Sequence, residues 1–585
     1  MLFSKHFRGY YIKYIIPYVI GIGVLLFIDY IQLNIPEYIG QIIDTLRGDQ
    51  NMIEMRNLLI MIGYLALVIT VGRFLWRYTI FGASRNIQFD LMNKMFKHAT
   101  DLPQSFYANE KVGGMMAYYT NDLEAIRMAY GPGILMLVDG IALGTFAVIK
   151  MLRLNTTMTL YAGIPLIVMF VFLSIVMRRF QKMFKIRQES FEDLSDFTQE
   201  NYSGITVVKA FVRELKQSLT FDYKSKDLYG KTIGFVKYQI AIQIIISVAI
   251  NIIVLFIVVY GSFQVMREVP TLTAGQLTEY MAYFFTLLWP TMALARFFAI
   301  QSQAKASAER IGEYLDSEIS VKDSQDVQSQ ELFGEIEAKN LTFTYPDGDI
   351  PVLNDVSFKI NKGEMVGILG RTGSGKSSLV DLFLRTYNVN EHQLFIAGHD
   401  MMKLPIKDVR GLMGYVPQDN FLFSETIKDN IAFAYDDVNL ELVTQAAKLS
   451  DVHDNISEFK HQYDTMLGER GVTVSGGQKQ RLSIARAIAK DPEILILDDS
   501  VSAVDTKTEE AIINNLFKIR KNKTTIVIAH RISTVKQMDK IILLDQGKLV
   551  GLGTHDELLK SSPLYQDMVR RQRLETMIEE EGDES

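Results

Sequence analysis

A six-span α-helical membrane domain followed by an α/β domain with a phosphate-binding loop is the fold this sequence predicts. Three observations predict it. Apolar residues make up 48% of the 585-residue chain, yet mean hydropathy is only +0.10, because a very apolar first half is averaged with an ordinary soluble second half. Six apolar segments in that first half each approach the ~20 residues a helix needs to cross a bilayer. In the second half, Gly370-Arg371-Thr372-Gly373-Ser374-Gly375-Lys376-Ser377 follows an apolar run, Met365 to Leu369, and precedes the apolar helix face of Leu379, Val380, Leu382 and Phe383. That is the strand, loop and helix setting of a phosphate-binding loop.

The bulk numbers narrow the classes. A chain of this length exceeds one compact core, so several domains are expected. The net charge of −6 argues against nucleic acid as the main partner. No cysteine occurs, which excludes disulfides, thiolate metal sites and cysteine nucleophiles. Lys5, Arg8 and Lys13 precede the first apolar stretch with no small-residue cleavage site after it, so a retained membrane segment is expected rather than a secretory signal.

The six segments are Ile15–Leu33, Leu58–Ile80, Ile134–Leu152, Met158–Met177, Ile240–Val259 and Leu277–Ile300. The last is interrupted by Gln276, Glu279 and Trp289-Pro290. Connections two–three and four–five run to roughly fifty to sixty residues, too long for ordinary loops. They are basic: Arg85, Lys94, Lys97, Lys111 and Arg127 in one, and Arg178, Arg179, Lys182, Lys185, Arg187 and Lys209 in the other. The positive-inside rule therefore places both, and both chain ends, in the cytoplasm. Helical spacing, as in Ile87, Leu91, Met95 and His98, predicts arms of about twenty residues projecting roughly 30 Å below the membrane. Their tips are expected at Pro103 to Gly114 and Ser203 to Phe211, where helix breakers gather.

Ionisable groups within spans are costly and default to functional candidates. Asp29, Asp139 and Arg296 qualify. Asp29 is expected near a membrane boundary, in contact with water; for Asp139 a paired carboxylate and a cation-attracting site stand equal. Met281, Tyr283, Phe284, Phe285 and Met292 either line an adaptable cavity or pack plainly.

Ser302 to Arg310 continues as helix out of the membrane, and Asp316 to Gln330 reads as a polar linker. The expected domains are 1–315 (membrane), 316–333 (linker), 334–571 (nucleotide-binding) and 572–585 (acidic tail). Strands alternate with helices from Ile336 onward. In the phosphate loop, glycines turn successive N–H groups toward one anion, Lys376 supplies a mobile cation, and the Ser377 hydroxyl suits Mg²⁺. Five stretches surround it in order. Tyr345 offers a ring for a base, Gln418 an amide at a strand end, and Ser475-Gly476-Gly477-Gln478 a second anion-ready helix start. Asp498-Asp499 close a buried strand with two carboxylates, and His530 ends another. Singly, these read equally as a surface tyrosine, a cap, a turn and a satisfied histidine; together and in this order they do not.

Those motifs resemble the ABC transporter family over nearly the whole chain, specifically half-transporters of the exporter type. The resemblance implies ATP and Mg²⁺. It makes Tyr345 the adenine-stacking residue, Gly370–Ser377 and the adjoining Ser378 the Walker A segment, and Gln418 the Q-loop. Ser475, Gly476, Gly477 and Gln478 become the signature, with Val474 where leucine is usual. Asp498 is the Walker B aspartate, Ser502-Ala503-Val504-Asp505 the D-loop and His530 the switch histidine; Glu469-Arg470-Gly471 looks like the exporter motif that meets the coupling loops. Ser377, Gln418 and Asp498 are the implied metal ligands, and Asp499, His530 and Gln418 the catalytic set.

One position departs. Where the family has glutamate after the Walker B aspartate, this chain has Asp499. One methylene withdraws the carboxylate by about 1 Å, a misplacement that can cost on the order of 10²-fold in rate. The departure is similar to the degenerate-site subunit of heterodimeric bacterial multidrug exporters. It implies a second half-transporter as partner, with this chain's signature completing that partner's site. It also implies a small amphipathic substrate and a multi-pass place among the lipids of the cell membrane. A homodimer, a lipid or peptide exporter, an importer on the same fold and a regulatory ATP-binding subunit would share the motifs.

Overall fold

The computed structural model describes residues 5–48, 51–110, 112–267, 271–468, 471, 473–500 and 506–583. Among the described residues six helical runs are long and apolar enough to cross a membrane: Ile15–Arg47, Met52–Asp101, Gly113–Leu154, Thr156–Ser203, Glu214–Val265 and Ala274–Asp316. Each contains one of the six apolar segments of the sequence. The fourth and fifth are single helices of 48 and 52 residues, which at 1.5 Å per residue reach roughly 70–80 Å and so leave long arms outside any bilayer. A short helix, Ile205–Ala210, joins them at the expected tip. The other tip carries the helix Gln104–Asn109 after Pro103; Lys111 lies outside the described residues. The sixth run starts on a capping box, with Thr273 and Gln276 exchanging side-chain and backbone hydrogen bonds, and breaks at Leu287 just before Trp289-Pro290.

The chain divides into two compact units. One comprises Met1–Phe96 with Gly113–Asp316, the other Ser317–Ser585 with the tip segment Lys97–Val112. Within the first, Asp29 corrects the expectation of a wet boundary residue: it is 2% exposed. Its side chain meets that of Asp139. Arg296 is exposed. Of the aromatic and methionine set, Tyr283 and Phe284 are buried packing, Phe285 lines a cavity and Met292 is exposed.

Two sheets build the second unit. β1 (Ile336–Phe343), β2 (Leu353–Ile360), β4 (Leu394–Ile396) and β5 (His399–Asp400) form an antiparallel sheet in the order β2-β1-β4-β5. β3 (Met365–Gly370), β6 (Met413–Val416), β7 (Ile494–Asp498), β8 (Thr524–Ile528), β9 (Lys540–Asp545) and β10 (Lys548–Gly553) form the other, in the order β10-β9-β3-β8-β7-β6. It is parallel except for the β9–β10 pair. β3, β7 and β8 are buried at every residue, which is why they read as unbroken apolar runs rather than alternating ones. Alternate residues serve two cores. Val366, Ile368, Ile496 and Ile526 pack with the P-loop helix and the antiparallel sheet, whereas Leu369, Leu495, Leu497 and Val527 pack on the opposite face. A third, helical core gathers Leu422, Ile431, Val443 and Leu482.

The stretch that reads as a polar linker is tied down. The fully buried Arg385 donates to the Leu404 carbonyl and pairs with Asp323 at 3.4 Å, and Asn388 donates to the Ser320 carbonyl. Tertiary hydrogen bonds that no local pattern announces hold this linker segment to the nucleotide-binding unit.

Candidate ATP-binding site

Strand register assembles the site. Ile368 of β3 and Asp498 of β7 both pair with Ile528 of β8, and Val416 of β6 pairs with Leu497. The carboxyl ends of four parallel strands therefore lie side by side, the edge at which open α/β sheets bind ligands. Four separate stretches meet there in one cleft of about 230 Å³: Thr372–Ser378, Gln418, Asp498-Asp499 and His530.

The loop is shaped by its glycines. Gly375 has φ +96, and a Cβ there would lie 2.8 Å from Leu353 Cδ2 and 3.0 Å from the Val352 carbonyl oxygen, so only glycine turns this corner into the helix Lys376–Phe383. Lys376 is buried and bridges the loop, its Nζ donating to the carbonyls of Gly370 at 3.0 Å and Arg371 at 3.1 Å. Burial lowers its pKa, opposed by the charges of Asp498 and Asp499. Ser374, 2% exposed, turns a hydroxyl with no hydrogen-bond partner to the same cleft. A partnerless buried hydroxyl beside loop N–H groups fits an acceptor-rich phosphate.

Burial pushes the Asp498 carboxyl above its ordinary value, while the hydrogen bond from Ser377 pulls it down. Ser377, Asp498 and the Gln418 amide offer hard oxygens, the donor set Mg²⁺ takes. Asp499 has a left-handed backbone, φ +47, with its N–H donating to the Ile528 carbonyl at 3.0 Å. Gln418 Nε2 donates to its Oδ2 at 3.3 Å, and His530 Nε2 lies 3.9 Å from the same oxygen. Gln480 Nε2 donates to the Asp499 carbonyl at 3.3 Å. Gln418 and His530, the other two candidate catalytic residues, thus converge on the Asp499 carboxylate.

Other sequence candidates fall elsewhere. Tyr345 stands beside the loop helix rather than in the cleft. Its hydroxyl donates to Ser378 Oγ at 2.8 Å, and its ring meets Phe343 and Tyr387 edge to face at 5.0 and 5.1 Å. The signature residues do not line the cleft. Ser475 caps the helix Gly476–Ala489 in a capping box with Gln478, and Gly476 faces a separate hollow with Gln418, Phe421 and Lys479. Glu469, Arg470 and the D-loop Ser502–Asp505 lie outside the described residues.

Sequence reasoning missed Val352, which lines the cleft from the bend just before β2 with no motif to mark it. It also missed Asp381, one turn along the P-loop helix. Burial, and then the charge of Asp498, raise its pKa to about 6 from 3.8. The folded state thus binds this proton more tightly than the unfolded chain, so stability falls as pH rises from about 4 to about 6 and stays lower above. Asp381→Asn, neutral throughout, is expected to raise the calorimetric unfolding temperature of nucleotide-free protein at pH 7.5 and to leave it unchanged near pH 4. An equal effect at both pH values would contradict the buried-carboxylate account.

A six-span membrane unit and an ATP-binding P-loop α/β unit on one chain define an ATP-driven membrane transporter. The family model of the ABC transporter transmembrane region matches residues 18–291, and the ABC transporter model matches residues 353–502. The chain is 34% identical over 577 residues to a probable multidrug resistance ABC transporter ATP-binding/permease protein, YheI, of Bacillus subtilis (strain 168), covering 98% of this chain and 97% of that protein. It is also 34% identical over 567 residues to the multidrug resistance-like ATP-binding protein MdlA of Escherichia coli (strain K12), covering 96% and 95%. The structure of a bacterial Atm1-family ABC exporter with ATP bound superposes with a TM-score of 0.74 at 24% identity over 97% of this chain and 98% of that one, a likeness of fold. The chain belongs to the ABC transporter family and is a multi-pass exporter-type half-transporter that couples ATP hydrolysis to transport. ABC exporters of this build work as dimers of half-transporters.

Proposed function

We propose that this chain is one half of a heterodimeric exporter of small amphipathic compounds, multidrug in character, and that its own ATP site is the slow one. The observation that carries this reading is Asp499. It occupies the position from which a carboxylate polarises the attacking water, in reach of Gln418 and His530, but on a side chain one methylene short. Lys376, Ser377 and Asp498 are suited to bind MgATP, so the site keeps its affinity and loses its positioned base. Mg²⁺ held by Ser377, Asp498 and Gln418 would neutralise phosphate charge.

The signature helix supports the other half of the proposal. Ser475 and Gly477 stand away from this chain's cleft, with Ser475 exposed at a helix start, ready for a nucleotide held by another subunit. Closure of two such nucleotide units around ATP would drive the membrane half outward-open, and hydrolysis at the partner's site would reset it. The amphipathic substrate class follows the multidrug character of the similar proteins.

Purified chain alone is expected to hydrolyse ATP at least about tenfold more slowly than the chain co-expressed with its partner half. A lone chain working at the full rate of the pair would refute the degenerate-site reading. Affinity purification from the native host identifies the partner, and recovery of only this chain would count for a homodimer.

A further inference from the structure

The helix Pro563–Asp583 of the nucleotide-binding unit carries none of the motifs that mark the ATP site. One of its side chains nevertheless holds the segment on which His530 sits. Ala529, His530 and Arg531 join β8 to the short helix Ile532–Val535. Gln572 meets this join with both ends of its amide. Its Nε2 donates to the His530 carbonyl at 2.6 Å, and its Oε1 accepts the Ile532 N–H at 2.6 Å. Only one orientation of a carboxamide, donor toward the carbonyl and acceptor toward the N–H, satisfies both partners.

The two bonds straddle Arg531, whose side chain makes no capping hydrogen bond at this helix start. They act on consecutive peptide groups, each rigidly planar, so the backbone on both sides of Arg531 is fixed. A second clamp comes from Glu509, buried on the helix Thr506–Ile519. It accepts from Arg531 Nη1 at 3.1 Å and from the Thr534 hydroxyl. Glu509 thus holds side chains of the segment, whereas Gln572 holds its backbone. The backbone matters for the site, because the His530 imidazole lines the cleft with Nε2 3.9 Å from Asp499 Oδ2. That separation exceeds hydrogen-bond length, so a small rotation of the His530 peptide decides whether the ring reaches.

We propose that Gln572 is a positioning residue for ATP hydrolysis. By fixing the two peptide groups that follow His530, it holds that imidazole toward Asp499 and the reacting end of the cleft. The last helix thereby takes part in the chemistry of a site it does not touch. This rests on the reading above that His530 serves hydrolysis, and it adds a residue that no motif marks.

The test uses the purified full-length chain alone in lipid nanodiscs, where every P-loop that turns over is its own. Release of radiolabelled phosphate times even a slow site. Gln572→Met keeps the side-chain length and the helix propensity and removes both hydrogen bonds. It is expected to lower kcat at least about fivefold, part of what a 1 Å misplacement can cost. KM and the binding of a fluorescent ATP analogue are expected to stay unchanged. Amide hydrogen exchange of the peptide spanning residues 529–535, measured on the same protein without nucleotide, is expected to speed up. Full kcat in the variant, or unchanged exchange, overturns the proposal. Loss of nucleotide binding together with rate marks a merely structural role and overturns it as well. His530→Ala separates the two readings. A lowered kcat there with full kcat in Gln572→Met removes this inference alone, whereas full kcat in His530→Ala removes the reading of His530 on which it rests.

Discussion

Replacing Asp499 with glutamate is expected to raise the rate of ATP hydrolysis at this chain's own P-loop roughly tenfold or more, with a ceiling on the order of 10²-fold. The added methylene returns the carboxylate toward the attacking water, while Gln418 and His530 already stand at 3.3 and 3.9 Å from the shorter group. The backbone takes back part of the gain. Asp499 is left-handed at φ +47, a conformation aspartate enters readily and glutamate at a cost on the order of 1 kcal/mol. Steady-state phosphate release from the proposed heterodimer, with the glutamate expected in the partner replaced by glutamine to silence its site, isolates the effect. No gain would mean that the length of this side chain is not what limits the site.

Lys376→Ala is expected to weaken nucleotide binding at this chain's P-loop by roughly 10- to 100-fold, the worth of a charged hydrogen-bond donor. Lys376 is buried, and its present contacts are the carbonyls of Gly370 and Arg371, which a phosphate would outcompete with full negative charge. On the proposed pairing, hydrolysis at the partner's site should continue, because Ser475 and Gly477 of this chain, and not its lysine, would complete that site. Photolabelling with azido-ATP, read separately for each subunit, checks both parts. Unchanged labelling of the variant chain would remove Lys376 from nucleotide binding, and complete loss of hydrolysis would show that the two sites do not work independently.

Most of the nucleotide site was legible because its chemistry is local. A phosphate loop needs glycines, lysine and serine within eight consecutive positions, and a strand end needs its carboxylate at the last buried residue. Those requirements survive translation into a linear pattern, and the register of β3, β7 and β8 brings the pieces to one edge. Six spans were legible for the same reason, since length and apolarity are summed along the chain. The contacts that position Tyr345 were not legible: its hydroxyl is held by Ser378 and its ring meets Phe343 and Tyr387, contacts made across elements.

By itself, then, the sequence determined the six spans, the P-loop, the strand-end carboxylates and the shortened Asp499. Each is fixed by residue type at a short spacing or by the composition of one segment. Only the tertiary structure decided that Asp29 is buried against Asp139 beside Trp289 and that Arg385 anchors the segment around Asp323. Those facts depend on how helices rotate and which faces pack together. A linear pattern carries the period of a helix but not the azimuth of its neighbour.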